Sequence, residues 1–227
     1  MITLNKRIVA GVAVAMLSVP ALAACGSSSD DSSSASSSSS TSTKAPKPVA
    51  SIDSLQGNTT QVTLDSGFVK ALQTLKLTPG VVGTAKLTNG ALVFPITGGN
   101  VTVFKPGQVS PYVIGQIQHE GSGFSLSAGG TKVEITNLNV DPGVSRVYGD
   151  VSVNGKTAAT SAYVLKLDGR TLKPLSAGSG TATLEGTKVE VSPVAADLLN
   201  KTFKTNAVAG GLLVGIAKIT VNTTPGQ

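Results

Sequence analysis

The chain has one cysteine, one histidine and no tryptophan in 227 residues. One cysteine excludes a disulfide scaffold and a cysteine-based zinc site. Aromatics make up only 4% and charged residues 13% of the sequence, which leaves few groups for acid–base or metal chemistry. Hydrophobic residues reach 40%, enough to build a core, so disorder throughout is excluded as well. What is present is unevenly spread. Residues 1–24 are apolar with a basic start, residues 26–50 are mostly Ser, Thr, Pro and Lys, and the remainder is rich in Gly, Val, Thr and Leu.

The first segment reads as an address. Lys6 and Arg7 form a positive start, and Ile8 to Ala21 follow as an apolar run too short for a comfortable membrane span. The run ends in Leu22-Ala23-Ala24-Cys25-Gly26, which resembles a bacterial lipobox. That resemblance implies cleavage before Cys25, a diacylglyceryl group on its thiol, and often a further acyl group such as palmitate on its amine. One chain binds a membrane marginally, whereas two or three hold firmly. Residues 27–43 include twelve serines and lead into Lys44-Ala45-Pro46-Lys47-Pro48. No apolar residues offset the entropy of ordering there, so the segment reads as a tether. The expected organisation is a signal peptide over 1–24, a lipidated Cys25 with its tether over 25–51, and a β-rich domain over 52–227. The expected location is the extracytoplasmic face of the cell membrane.

The body is punctuated by turn signals every eight to twelve residues. Asn89-Gly90, Asn154-Gly155 and Asp168-Gly169 favour two-residue hairpins. Pro79-Gly80, Gly98-Gly99, Pro106-Gly107, Gly129-Gly130 and Asp141-Pro142-Gly143 mark other turns. Between them residues alternate: Val147, Gly149, Val151 and Val153 share one face, and Arg146, Tyr148, Asp150 and Ser152 the other. The pattern predicts an all-β antiparallel sandwich or barrel-like domain. Two short helices interrupt it. One is capped by Asp65 or Ser66 and carries Phe68, Leu72 and Leu75. The other starts at Ser192-Pro193 and carries Val194, Leu198 and Leu199. Leu212 to Val221 reads as the closing core strand.

Catalytic constellations are missing. Only His119 is available to activate a serine, and there is no Gly-x-Ser-x-Gly stretch. Gly155-Lys156-Thr157 ends like a phosphate loop, but Asp150 stands where its first glycine belongs. Glu120, Glu134, Asp150, Glu185 and Glu190 are scattered over expected solvent faces. The Asn-x-Thr sequons at Asn58, Asn100, Asn200 and Asn222 mean little beyond threonine-rich strands. The net charge of +6 forms no basic cluster interleaved with aromatics, so nucleic acid is not an expected partner. The expectation is a non-enzyme. His119 falls on the same alternating face as Val113 and Ile117. It reads either as a half-buried histidine bonded to backbone or as a ligand to haem iron or another metal.

The order of these motifs resembles the HtaA-type domain, a β-rich haem-transport domain of actinobacterial surface proteins. The resemblance spans most of residues 62–221. Its parts are the helix with Phe68, the strand Leu92-Val93-Phe94-Pro95-Ile96 before a Gly pair, and the strand ending His119-Glu120-Gly121. Val133-Glu134-Ile135-Thr136-Asn137 follows, and then Leu184-Glu185-Gly186 before the Ser192 helix. The resemblance implies a haem-binding role for His119. The family's ligand tyrosine is unmatched in Phe68-Val69-Lys70-Ala71-Leu72, which leaves Tyr112 and Tyr148 as candidate partners of His119. The expected function is therefore a membrane-anchored module binding haem or a hydrophobic small molecule. A structural or adhesive surface module with a filled interior and an envelope partner is the alternative. Replacing Cys25 by Ser is expected to move the protein from the membrane to the soluble fraction, and a Cys25→Ser variant that still sediments with membranes sinks the lipobox reading.

Overall fold

The computed structural model describes residues 45–223; Cys25 and the signal segment lie outside them. In chain order the elements are β1 (Ala50–Ile52), β2 (Asn58–Leu64), α1 (Ser66–Thr74), β3 (Thr78–Gly83), β4 (Lys86–Thr88), β5 (Ala91–Pro95) and β6 (Gly98–Val103). Then follow β7 (Val113–Ala128), β8 (Thr131–Asp141), β9 (Arg146–Val153), β10 (Lys156–Asp168), β11 (Ser176–Gly178), β12 (Thr181–Val191), α2 (Pro193–Phe203) and β13 (Leu213–Asn222). The strands form one 13-stranded sheet in the order β1-β6-β7-β8-β9-β10-β12-β13-β2-β5-β4, with β11 on β12 and β3 on β7. Every ladder in it is antiparallel. The sheet curls into an all-β, barrel-like body with two helices. The first strand begins at Ala50, inside the segment expected to be tether.

The curl has a local cause. β7 carries extra residues between His119 and Gly123, β8 carries one between Thr136 and Asn139, and β10 carries one between Ala159 and Ala162. These bulges lie side by side across β7 to β10. Each contains a residue with positive φ: Gly121 at 66°, Asn137 at 52° and Ser161 at 47°. A bulge bends its strand and raises its twist, and adjacent bulges bend the sheet along one line. Side chains hold the line together. Gly121 N–H donates to Asn137 Oδ1 at 3.0 Å, Asn137 Nδ2 donates to Asp150 Oδ2 at 2.9 Å, and Ser161 N–H donates to Asp150 Oδ1 at 2.9 Å. The Asn137 and Ser161 hydrogen bonds hold the Asp150 carboxyl below its ordinary pKa.

Both helices start where expected. Asp65 accepts from Gly67 N and Phe68 N to cap α1. Ser192, fully buried, accepts from Ala195 N and donates its own hydroxyl to Tyr163 O at 2.6 Å, tying α2 to β10. The buried face of α2 differs from the expected stripe: Ala195, Ala196 and Leu199 are inside and Val194 is 49% exposed. Three expected turns are also corrected. Pro79-Gly80 lies in β3 and Gly98-Gly99 in β6, while Asp168-Gly169 opens a 3-10 turn before a longer connection to β11. Both pairs hold register against β7, Gly80 opposite Ser125 and Gly99 opposite Ile117, the latter at a φ of 114° that favours glycine. The Asn89-Gly90, Gly129-Gly130 and Asn154-Gly155 turns join hairpins as read.

Asp150→Ala removes the acceptor of two hydrogen bonds and leaves the Ser161 amide and Asn137 amide without it. We expect a loss of about 1–3 kcal/mol in urea unfolding at neutral pH. The depressed carboxyl contributes stability above the usual carboxylate pKa and loses it as pH falls through the folded value. The difference between wild type and Asp150→Ala should therefore shrink in strong acid.

Candidate functional site

The concave face of the sheet and the two helices enclose a cavity of about 710 Å³. Its wall is overwhelmingly aliphatic. Val62, Leu92, Ile117, Leu126, Ile135, Leu138, Val147 and Val164 come from the sheet, Phe68, Leu72 and Leu75 from α1, and Ala195 and Leu199 from α2. The wall reaches the surface at three connections: Ser110-Pro111 before β7, Ser145 before β9, and Lys166 to Arg170 at the end of β10. Pro79 and Leu87 are exposed lining residues elsewhere. Arg170 forks onto the Asp168 carboxylate, with Nη2–Oδ2 at 2.6 Å and Nε–Oδ1 at 2.9 Å, and holds that carboxyl far below its usual range. Lys166 pairs with Glu190 at 3.0 Å. The charges near this mouth thus enter the structure as neutral pairs.

His119 stands in the cavity wall at 1% exposure, inward as Val113 and Ile117 are. The β7 bulge begins directly after it, and Ser122, fully buried, donates its hydroxyl to the His119 carbonyl at 3.1 Å. The imidazole joins two other strands to β7. Its Nδ1 lies 3.1 Å from Leu138 O on β8, and its Nε2 lies 2.7 Å from Thr60 Oγ1 on β2. A carbonyl only accepts, so Nδ1 carries the proton and Nε2 accepts from the Thr60 hydroxyl. Phe94 packs edge-on at a centroid distance of 6.2 Å. Burial pushes the imidazole pKa down to about 4, outweighing the hydrogen bond to Leu138 that favours the charged form. His119 is thus a neutral, doubly bonded histidine.

Of the tyrosines, Tyr112 also lines the cavity, whereas Tyr148 does not. Tyr112 precedes His119 by seven residues along β7, which places roughly 20 Å between their backbones at about 3.3 Å per residue. Tyr148 lies on the outer face, in a polar cleft with Gln118, Glu120 and Asp150; its ring lies 6.2 Å from that of Tyr163. The structure therefore brings together neither His119 with Tyr148 nor His119 with Tyr112. The partner it does supply, Thr60, had a legible signal in its period-two spacing with Val62 and Leu64 on β2. Among the described residues no group of three or more His, Cys, Asp or Glu side chains is placed to hold a metal ion. No helix among them is long and apolar enough to cross a membrane.

No protein-family model matches the sequence. A search of curated proteins gives no match either. Solved structures do match. The C-terminal domain of HtaA from Corynebacterium glutamicum superposes with a TM-score of 0.52 at 13% identity, covering 74% of this chain and 98% of that one. The haem-binding protein HtaB of the same organism gives 0.45 at 9% identity, covering 76% and 96%. The first of these likenesses supports the HtaA-like fold.

A histidine with a lowered pKa stabilises the fold above the unfolded value near 6.5, and that contribution is lost as pH falls toward about 4, because only the unfolded state takes up the proton. The full effect is roughly 3 kcal/mol. In urea unfolding from pH 7 to pH 4, His119→Gln should lack this component of the slope. An unchanged slope in the variant would show that the imidazole is not buried neutral.

Proposed function

We propose that the chain is a membrane-anchored, extracytoplasmic binding module whose cavity takes an apolar small molecule. The observation that carries this reading is the cavity itself. Its 710 Å³ lies within the roughly 300–1,000 Å³ typical of ligand sites, and its wall reaches the surface at three connections. A structural or adhesive module with a filled interior does not account for such a space. The lipobox reading of Cys25 supplies the anchor. A binding role, rather than catalysis, fits a cavity whose central polar group is a fully satisfied histidine.

Haem is the specific candidate that the family resemblance suggests. The volume and apolar wall suit a porphyrin body. The donor set does not suit its iron. Both His119 nitrogens are engaged, Tyr112 is far along the strand, and Phe68 to Leu72 on α1 contains no tyrosine. Axial ligation by His119 would first require Nε2 to give up the Thr60 hydroxyl. The residues present therefore favour an apolar guest held by contact rather than by a metal bond.

Titration with the apolar dye anilinonaphthalene sulfonate and with a fluorescent fatty acid is expected to give saturable binding to the folded protein. Val164→Phe, which fills the cavity wall, should weaken that binding on the order of tenfold while circular dichroism stays native. Added haem should show no Soret component that depends on His119. A Soret band abolished by His119→Ala would replace this reading with ligated haem, and failure of every apolar probe to bind would refute it.

A further inference from the structure

The end of the cavity at Ser110, Pro111, Tyr112 and Ser145 carries exposed apolar side chains. Val49 is 61% exposed, Ile114 38% and Val144 54%. The register places them along one edge: Ile114 lies level with Thr102 and Ser51, and Val49 stands two residues before Ser51. Val49 N–H donates to Val103 O at 2.8 Å, Ala50 pairs with Val103 and Thr102 with Ile114. A Cβ on Gly143 would sit 3.9 Å from Ile114 Cγ2, which brings Val144 beside Ile114. Exposed Lys105 and Arg146 flank these side chains. Of the acids nearby, Asp53 accepts from the Ser51 hydroxyl, Asp141 accepts from Val144 N, and Asp168 is held by Arg170.

We infer that this rim is a membrane-docking surface through which an apolar guest passes between a bilayer and the cavity. The occupant is argued from where the chain enters. Residues 45–49 lead into β1, at the same end of the body as the cavity mouth. Nineteen residues separate Cys25 from Ala45, a reach of at most roughly 70 Å. An anchor at Cys25 would thus keep the mouth end within reach of the leaflet, and apolar side chains flanked by Lys105 and Arg146 suit an anionic bilayer surface. The orientation argument rests on the anchored-module reading; the apolar rim stands on the geometry alone.

The absence of tryptophan makes a single introduced indole a clean reporter. The chain from residue 25 onward, with Cys25→Ser to remove the anchor from the readout, is mixed with phosphatidylcholine–phosphatidylglycerol vesicles. The emission of a Val144→Trp variant should shift to shorter wavelength, and that of Val194→Trp, equally exposed on α2, should not. Equal shifts, or none in Val144→Trp, overturn the proposal, as does a dimer of the unmodified rim that Ile114→Asp/Val144→Asp dissolves while vesicles have no effect. The same double variant should slow transfer of a fluorescent fatty acid out of vesicles on the order of tenfold and leave its binding from solution unchanged. A vesicle shift without any ligand binding would separate failure of the cavity reading from failure of the rim.

Discussion

The line of bulges stitched by Asp150 and Asn137 is the constraint on which the rest of the molecule depends. Without it, β7 to β10 would form a gently twisted ribbon and could not turn one face inward. Each bulge puts a residue into the left-handed region, which costs backbone energy at Asn137 and Ser161. Hydrogen bonds to a carboxylate, stronger than neutral ones, offset that cost at both places. The same bend turns His119 and Ser122 to the inside and leaves Glu120 and Tyr148 outside, so the inventory of the cavity is decided on the opposite face of the sheet.

His119 then acts as a brace rather than as a free ligand. A polar side chain in an aliphatic wall is costly unless both nitrogens are satisfied. Leu138 on β8 and Thr60 on β2 satisfy them and connect two strands that lie far apart in the sheet order. Desolvation keeps the ring neutral, so the cavity gains no charge that would repel an apolar guest. A brace of this kind ties β7 and β8 to β2.

The alternating strands such as β8, β9 and β13, the turns at Asn89-Gly90, Gly129-Gly130 and Asn154-Gly155, both helix caps and the alternating face that His119 shares with Val113 and Ile117 were legible in the sequence. Local backbone preference and period-two alternation decide all of them. The bulges were not legible. Asn137 and Ser161 gave no signal, because the positive φ at each is imposed by a carboxylate more than ten residues away. The expected burial of Val194 failed for a related reason. The apolar stripe of a short helix leaves open which flank meets the sheet, and the Ser192–Tyr163 hydrogen bond turns α2 toward Ala195, Ala196 and Leu199. Tyr112 lines the cavity but stands apart from His119, and Tyr148 lies on the outer face, neither of which composition reports.

The scarcity of the sequence acquires a physical sense in this light. A cavity that held a metal or a reactive substrate would need charged or thiol groups, and those groups would need partners to offset their burial. This interior instead engages its one histidine in hydrogen bonds to Leu138 and Thr60, pairs Asp168 with Arg170 near the surface, and leaves most of the remaining wall to aliphatic and phenylalanine side chains. Such a wall discriminates little between guests of similar size, because apolar contact is non-directional. Selectivity, on the reading proposed above, would then come less from the cavity than from access to it. The guest would be whatever apolar molecule is presented at the Ser110–Tyr112 and Pro142–Ser145 rim, where the backbone enters the domain and exposed valine and isoleucine side chains meet exposed cations.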